Sequence, residues 1–143
     1  MLCALDLSDA SGEVLAYAAG LAVRLGARLL VLHVADSAHW YDPWPISGVD
    51  PDAVRRLVAE TTEKRAAELV AGHVPAGVPV EVRIAFGVAS RQIERAAAEQ
   101  ADVVVLGVSA ARGIDRLFFG STVQHVLRAG ICPVLLVRHA PVA

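Results

Sequence analysis

Five short segments rich in valine and leucine, separated by longer segments with helical periodicity, constrain this chain more than any other feature. The short segments are Leu2–Leu7, Leu29–Val34, Val80–Phe86, Val103–Leu106 and Pro133–Val137. Strands that alternate with helices form a parallel sheet, because each crossover must return the chain to the same end of the sheet. Right-handed crossovers then place helices on both faces. The sequence therefore predicts an α/β fold, with residues 1–143 forming one domain.

The four intervening segments are predicted to be helices. Pro51 fits the first turn of the second helix, the third spans Ser90–Gln100, and the fourth runs from Thr122 to about Ala129. In the first helix, apolar residues recur every three or four positions and are expected to face the sheet. These residues are Val14, Leu15, Ala18, Leu21, Ala22 and Leu25. The second helix carries a comparable apolar set: Val54, Leu57, Val58, Leu69 and Val70.

The strand patterns indicate the order 3-2-1-4-5. Strand 3 alternates apolar residues with Glu81 and Arg83, which favours an edge with one partly hydrated face. Strands 1, 2 and 4 are nearly continuous apolar runs, which is typical of central positions. Strand 5 is also apolar and is predicted at the opposite edge, where exposed strands tend to pair. We therefore expect a two-fold homodimer through this strand, which comprises Pro133, Val134, Leu135, Leu136 and Val137.

Composition and motif content argue against several classes of function. Thirteen Lys and Arg against fifteen Asp and Glu give a net charge of -2, which provides no basic surface for nucleic acid. The longest apolar run, Val14–Val23, is too short for a membrane span of about twenty residues. Cys3 and Cys132 form no CxxC motif, and reduced thiols in the cytoplasm are the simplest interpretation. The five histidines lack metal-ligand spacing, so no metal site is expected. No P-loop, dinucleotide fingerprint or nucleophile elbow is present, and no catalytic base or nucleophile is identified.

The predicted order brings three polar features together. Asp6 ends strand 1, Gly107 ends strand 4, and Gly120-Ser121-Thr122 starts the fourth helix. Ligands of such sheets bind beyond the carboxyl ends of the strands where the order reverses, and a helix N-terminus suits phosphate. A purely structural interpretation is also available. Ser121 and Gln124 match a capping box, and Asp6 with Ser8 and Asp9 is able to cap the first helix.

Several segments resemble the universal stress protein family. They are Gly107–Thr122 (GVSAARGIDRLFFGST), Ala129–Val134 (AGICPV), Ala4–Ser8 (ALDLS) and Leu32–Val34 (LHV). The resemblance covers nearly the whole chain. It implies an adenine-nucleotide α-hydrolase-like fold, the sheet order 3-2-1-4-5 and a homodimer paired through strand 5.

The family's ATP-binding pattern, Gly-x2-Gly-x9-Gly-Ser/Thr, is matched at Gly107, Gly120 and Ser121, whereas Ala110 replaces the second glycine. The resemblance implies that Ala4, Leu5, Asp6 and Val34 contact the adenosine. It implies further that Leu106, Gly107, Ser109 and Ala110 border the ribose and first phosphates, and that Gly120, Ser121 and Thr122 hold the outer phosphates. Any Mg²⁺ would then be held mainly by phosphates and water.

The leading hypothesis is a cytoplasmic, non-enzymatic stress-response protein that binds ATP or a related adenine nucleotide as a regulatory ligand and works as a homodimer. The alternative is a nucleotide-free interaction module, which Ala110 and the aromatic segment His39–Trp44 favour. That aromatic segment is interpreted as a lid over the nucleotide, as a partner-binding patch, or, as the favoured interpretation, as a plug that packs on the second helix or on the next subunit. An adenylyl transferase is a third hypothesis, which no second catalytic motif supports.

Overall fold

A five-stranded parallel sheet forms the centre of the computed structural model, which describes residues 1–35, 50–109 and 119–139. The strands are β1 (Leu2–Leu5), β2 (Leu29–Ala35), β3 (Val80–Phe86), β4 (Val104–Ser109) and β5 (Val134–His139). The helices are α1 (Ser11–Leu25), α2 (Pro51–His73), α3 (Ala89–Gln100) and α4 (Ser121–Ala129). The sheet order is β3-β2-β1-β4-β5, and every neighbouring pair is parallel. The predicted fold class and strand order are confirmed.

The sheet separates two apolar clusters because successive residues of a strand point to opposite faces. Cys3 and Leu5 of β1 pack in the cluster that includes buried residues of α1 and α2. Leu2 of β1 and Leu32 of β2 belong to the opposite cluster, which includes buried residues of α3 and α4. Each fully buried leucine contributes roughly 1.5–3 kcal/mol through removal of its apolar surface from water. Side chains on both faces of the central strands are therefore buried, and this burial stabilises the position of these strands in the sheet.

The ends of three strands differ from the prediction. β1 ends at Leu5, so Asp6 follows the strand directly. Gly107 does not end β4 but lies inside it, because the strand continues to Ser109, which pairs with His139. Pairing with the neighbouring strand outweighs the weak strand preference of glycine. Pro133 precedes β5, although its carbonyl accepts a hydrogen bond from the Val104 N–H at 2.9 Å.

The helices begin close to the predicted positions, but two of the apolar residues that were predicted to face the sheet are exposed to water. Leu25 is 63% exposed because the helix ends there and Gly26 reverses the chain in a left-handed conformation. Leu57 of α2 is also 63% exposed, and Ala66 is the residue of this helix that is fully buried. Within the described residues, none of the helices has the length and apolar character needed to cross a bilayer.

Candidate functional site

A crevice of about 250 Å³ opens at the carboxyl ends of the central strands. It approaches the roughly 300 Å³ at which small-molecule sites begin. Residues of four strands and three helices line it, together with the turn after β1. The lining consists of Ala4, Leu5, Asp6, Ser8, Ala10, Ser11, Val14, Leu32, Val34, Ala89, Ile93, Leu106, Gly107, Thr122, Val123 and His139. We refer to this set as the switch-point crevice.

The crevice lies where it does because the helices that follow β1 and β4 pack on opposite faces of the sheet. The segment after β1 leads to α1, which packs with Cys3 and Leu5 on one face. The segment after β4 leads to α4, which packs with Leu106 and Val108 on the other. Adjacent strands with diverging connections leave a gap between them, and this is where open α/β sheets bind ligands. The predicted convergence of Asp6 with the start of α4 is therefore present.

Asp6 presents an ionised carboxylate to the crevice. Its Oδ1 accepts hydrogen bonds from the Ser8 N–H at 2.9 Å and from the Ser11 hydroxyl at 3.0 Å. Partial burial raises the pKa of Asp6, but hydrogen bonds from Ser8 and Ser11 outweigh it and leave that pKa below its ordinary value of 3.8. The N-cap of α1 is Ala10, without a side-chain capping bond, so the predicted helix cap by Asp6 is wrong. The carboxylate orders the turn between β1 and α1 instead.

That turn depends on an unusual backbone conformation. Leu7, directly after Asp6, has φ of 59°, in the left-handed region that costs a non-glycine residue roughly 1–2 kcal/mol. Its side chain is only 9% exposed and packs with the cluster around α1, and this burial offsets the strain. On the other side of Asp6, the His33 ring Nδ1–H donates to the Leu5 carbonyl at 2.8 Å. Asp6 is therefore held between two anchored neighbours.

The first turn of α4 carries no side-chain cap among the described residues. Gly120 is the N-cap and Ser121 is the first helical residue. The Gln124 side-chain N–H donates to the Phe119 carbonyl at 2.9 Å, whereas in a capping box the side-chain oxygen would accept from the backbone N–H of the N-cap residue. The N-cap is Gly120 and not Ser121, so the predicted Ser121–Gln124 capping box is wrong. A Cβ on Gly120 would meet no described atom within 4 Å, so packing of the described residues does not demand a glycine there.

Gly107, by contrast, is needed for packing. A Cβ at this position would lie 2.8 Å from Val14 Cγ2 and 3.4 Å from His139 Cδ2. Val14 is only 2% exposed and, as a β-branched residue, has little rotamer freedom with which to move away. The family resemblance implied that Gly107 borders the ribose and first phosphates, and the structure shows in addition that two side chains, Val14 and His139, lie close to it.

The structure brings most of the sequence-predicted site residues into one lining. Those that line the crevice are Ala4, Leu5, Asp6, Val34, Leu106, Gly107 and Thr122. Ser109, Gly120 and Ser121 are exposed and are not part of the lining. Ala110 and the aromatic segment His39–Trp44 lie outside the described residues.

Sequence reasoning missed two informative members of the lining. Val14 was assigned to the core face of the first helix, and its helical periodicity gave no indication that it also borders a cavity. His139 lies two residues beyond the predicted end of strand 5, and it was missed because the length of that strand was underestimated.

Within residues 1–35, 50–109 and 119–139, no group of three or more His, Cys, Asp or Glu side chains comes together as a metal site.

Comparison with known proteins identifies relatives along almost the whole length of the chain. The model of the universal stress protein family matches residues 1–138. A universal stress protein of Thermus aquaticus, encoded in the 3' region of the QAH/OAS sulfhydrylase, is 36% identical, with 96% of this chain and 97% of that protein covered. The solved structure of UspA from Lactobacillus plantarum is 26% identical, with a TM-score of 0.70 and 96% coverage of each chain.

A third similar structure contains a ligand. The universal stress protein from Archaeoglobus fulgidus in complex with dAMP is 24% identical to this chain, with a TM-score of 0.62 and 94% of each chain covered. At this level of identity the similarity shows a common fold.

Proposed function

Because the chain belongs to the universal stress protein family, we propose that its switch-point crevice binds an adenine nucleotide as a regulatory ligand. The observation that carries the proposal is a single crevice with an apolar wall near β2 and hydrogen-bonding groups near α4. A nucleotide has the same division between a flat, largely apolar base and a charged phosphate group. The dAMP complex of the Archaeoglobus fulgidus relative supports this choice of ligand.

The apolar wall fits the base. Ala4, Leu32, Val34 and Ile93 line this part of the crevice and belong to or pack with the α3–α4 cluster. Burial of an aromatic ring against aliphatic side chains is favourable at about 25 cal/mol per Å² of apolar surface. Asp6 adds an ionised acceptor, which suits a ribose hydroxyl or the exocyclic amino group of adenine.

The start of α4 fits the phosphates. Thr122 brings a hydroxyl into the crevice, and the first backbone N–H groups of the helix, with the positive end of its dipole, favour an anion. Gly120, Ser121 and Ser109 lie beyond the lining, where the outer phosphates of ATP would extend. Any Mg²⁺ is then held mainly by phosphates and water. With no catalytic base proposed, the nucleotide acts as a ligand rather than a substrate.

The second part of the proposal is a homodimer that acts in a cytoplasmic stress response, and the edge strand β5 supports the dimer. Its apolar residues Val134, Leu135, Leu136 and Val137 are each only half-buried, and in the part of the chain that the structure describes the strand has a neighbour on one side only. Pairing with a second copy would bury these side chains and satisfy the backbone groups of the edge. Light scattering at micromolar concentration tests this assembly, and a monomer would contradict it.

Calorimetric titration tests the nucleotide proposal. The protein is titrated with AMP and with ATP plus Mg²⁺, together with the variants Asp6→Asn and Asp9→Asn. Asp9 is the matched control, since it lies in the same turn, is exposed and is absent from the crevice lining. Loss of a charged hydrogen-bond acceptor should weaken binding about tenfold in Asp6→Asn and not in Asp9→Asn. Absence of binding to the unmodified protein would favour the nucleotide-free interaction module.

A further inference from the structure

His139 lies at the end of the edge strand β5 and also lines the switch-point crevice. In the β4–β5 register, His139 pairs with Ser109 and Val137 pairs with Gly107. Val137 packs in the cluster around α1, and residues two apart on a strand share a face. His139 therefore reaches the crevice from the α1 face of the sheet.

The imidazole of His139 lies beside Gly107. The position that a Cβ would take on Gly107 is 3.4 Å from Cδ2 and 3.7 Å from Nε2 of His139. The ring therefore lies across the backbone of β4, toward the centre of the sheet. A Cβ at position 107 would be in ordinary van der Waals contact with this ring, so the imidazole packs directly beside the backbone of β4.

The strand order places His139 at the phosphate end of the crevice. Val34, in the apolar wall, belongs to β2, and the order β2-β1-β4-β5 separates it from His139 by two strands. Thr122 belongs to α4, which packs on the face of the sheet opposite to α1. An anion at this end would therefore have the N-terminus of α4 on one side and the imidazole on the other. The imidazole supplies an N–H donor, which Asp6 does not.

We propose that His139 donates a hydrogen bond to the 5'-phosphate of the bound adenine nucleotide. This inference rests on the proposed function, because it assigns one more contact to the same ligand. It adds a contact from the edge strand to those that the glycine-rich pattern and α4 provide.

A comparison of AMP with adenosine isolates the phosphate contact. Dissociation constants for both are measured by calorimetry for the unmodified protein and for His139→Ala, His139→Gln and Arg138→Ala. We expect His139→Ala to weaken AMP binding about tenfold, as for a hydrogen bond to a charged group, and to leave adenosine within twofold. His139→Gln keeps an N–H donor and should retain most of the AMP affinity. Arg138, exposed on the opposite face of β5, is the matched control and should change neither constant.

A second measurement uses the unmodified protein and does not depend on the stability of any variant. The ring signal of His139 in a ¹H–¹³C spectrum, assigned by its loss in His139→Gln, should shift on addition of AMP and stay in place with adenosine. An equal loss of AMP and adenosine affinity in His139→Ala, or a ring signal that AMP leaves unmoved, would overturn the phosphate contact alone. An unmodified protein that binds neither ligand would overturn the proposed function together with this contact.

Discussion

Replacement of Gly107 by alanine tests the packing that shapes the crevice. The added Cβ would lie 2.8 Å from Val14 Cγ2, so one of the two must move. Overpacking of this kind costs about 1–3 kcal/mol. Alanine recovers about 0.5–1 kcal/mol because it loses less backbone entropy than glycine on folding. Gly107→Ala should therefore lower the free energy of unfolding by about 1–2 kcal/mol, or Tm by about 3–8 °C.

The chain supplies a matched control for the same chemical change. Gly20 lies on the exposed side of α1, and a Cβ there would meet no described atom within 4 Å. Gly20→Ala should stabilise the protein by about 1 kcal/mol, because alanine is the better helix former. Denaturant unfolding of both variants should thus give changes of opposite sign.

A double variant tests whether contact with Val14 causes the loss of stability in Gly107→Ala. In the background Val14→Ala, the atom that Gly107→Ala would meet is absent, so only the gain from the lower backbone entropy of alanine remains, and the second change should stabilise the protein by about 0.5–1 kcal/mol. The coupling energy between the two sites then equals the cost of overpacking, about 1–3 kcal/mol. If Gly107→Ala is as stable as the unmodified protein, or if Val14→Ala leaves its cost unchanged, the packing argument for Gly107 is wrong.

Three further predictions concern the turn after β1 and the start of α4. Because the pKa of Asp6 is lowered in the folded protein, its charge stabilises the fold above about pH 3.8 and this contribution is lost as the pH falls through the folded-state value. The stability difference between the unmodified protein and Asp6→Asn, from thermal unfolding, should accordingly be larger at neutral pH than at about pH 2–3. Leu7→Gly should be about 1 kcal/mol more stable than Leu7→Ala in urea, since glycine adopts the left-handed conformation without strain; the reverse order would contradict the role of φ. Thr122→Val should weaken AMP and ATP alike, whereas Ser121→Ala should weaken ATP alone, and calorimetry that finds the two variants indistinguishable would refute this division.

The sheet was predictable because its strands differ in burial. Glu81 and Arg83 interrupt strand 3 and mark it as an edge, and the unbroken apolar runs of strands 1, 2 and 4 require cover on both faces. The same reasoning located Asp6, since a polar residue directly after a buried strand must lie at the end of the sheet. In these cases the position of a strand or residue in the sheet could be predicted from the pattern of apolar and polar residues along the strand.

Other features depend on contacts that local pattern does not encode. Gly107 is a weak strand former, and only its pairing with Val137 of β5 keeps the strand continuous. Leu7 adopts a left-handed conformation because its side chain finds a buried position, which no propensity of leucine indicates. His139 reaches the crevice because β5 continues to this residue, where it pairs with Ser109 of β4. Each outcome is decided by a residue distant in sequence.

β5 contributes its last residue to the crevice and forms one border of the sheet. A strand is stiff along its length, so nucleotide binding at the end of β5 and pairing of its edge with a second protomer would act on the same rigid strand. If nucleotide and second protomer both bind, thermodynamic reciprocity applies: the factor by which occupancy changes the association constant of the protomers equals the factor by which association changes nucleotide affinity. A change in nucleotide concentration would then shift the equilibrium between monomer and dimer, without a change of fold.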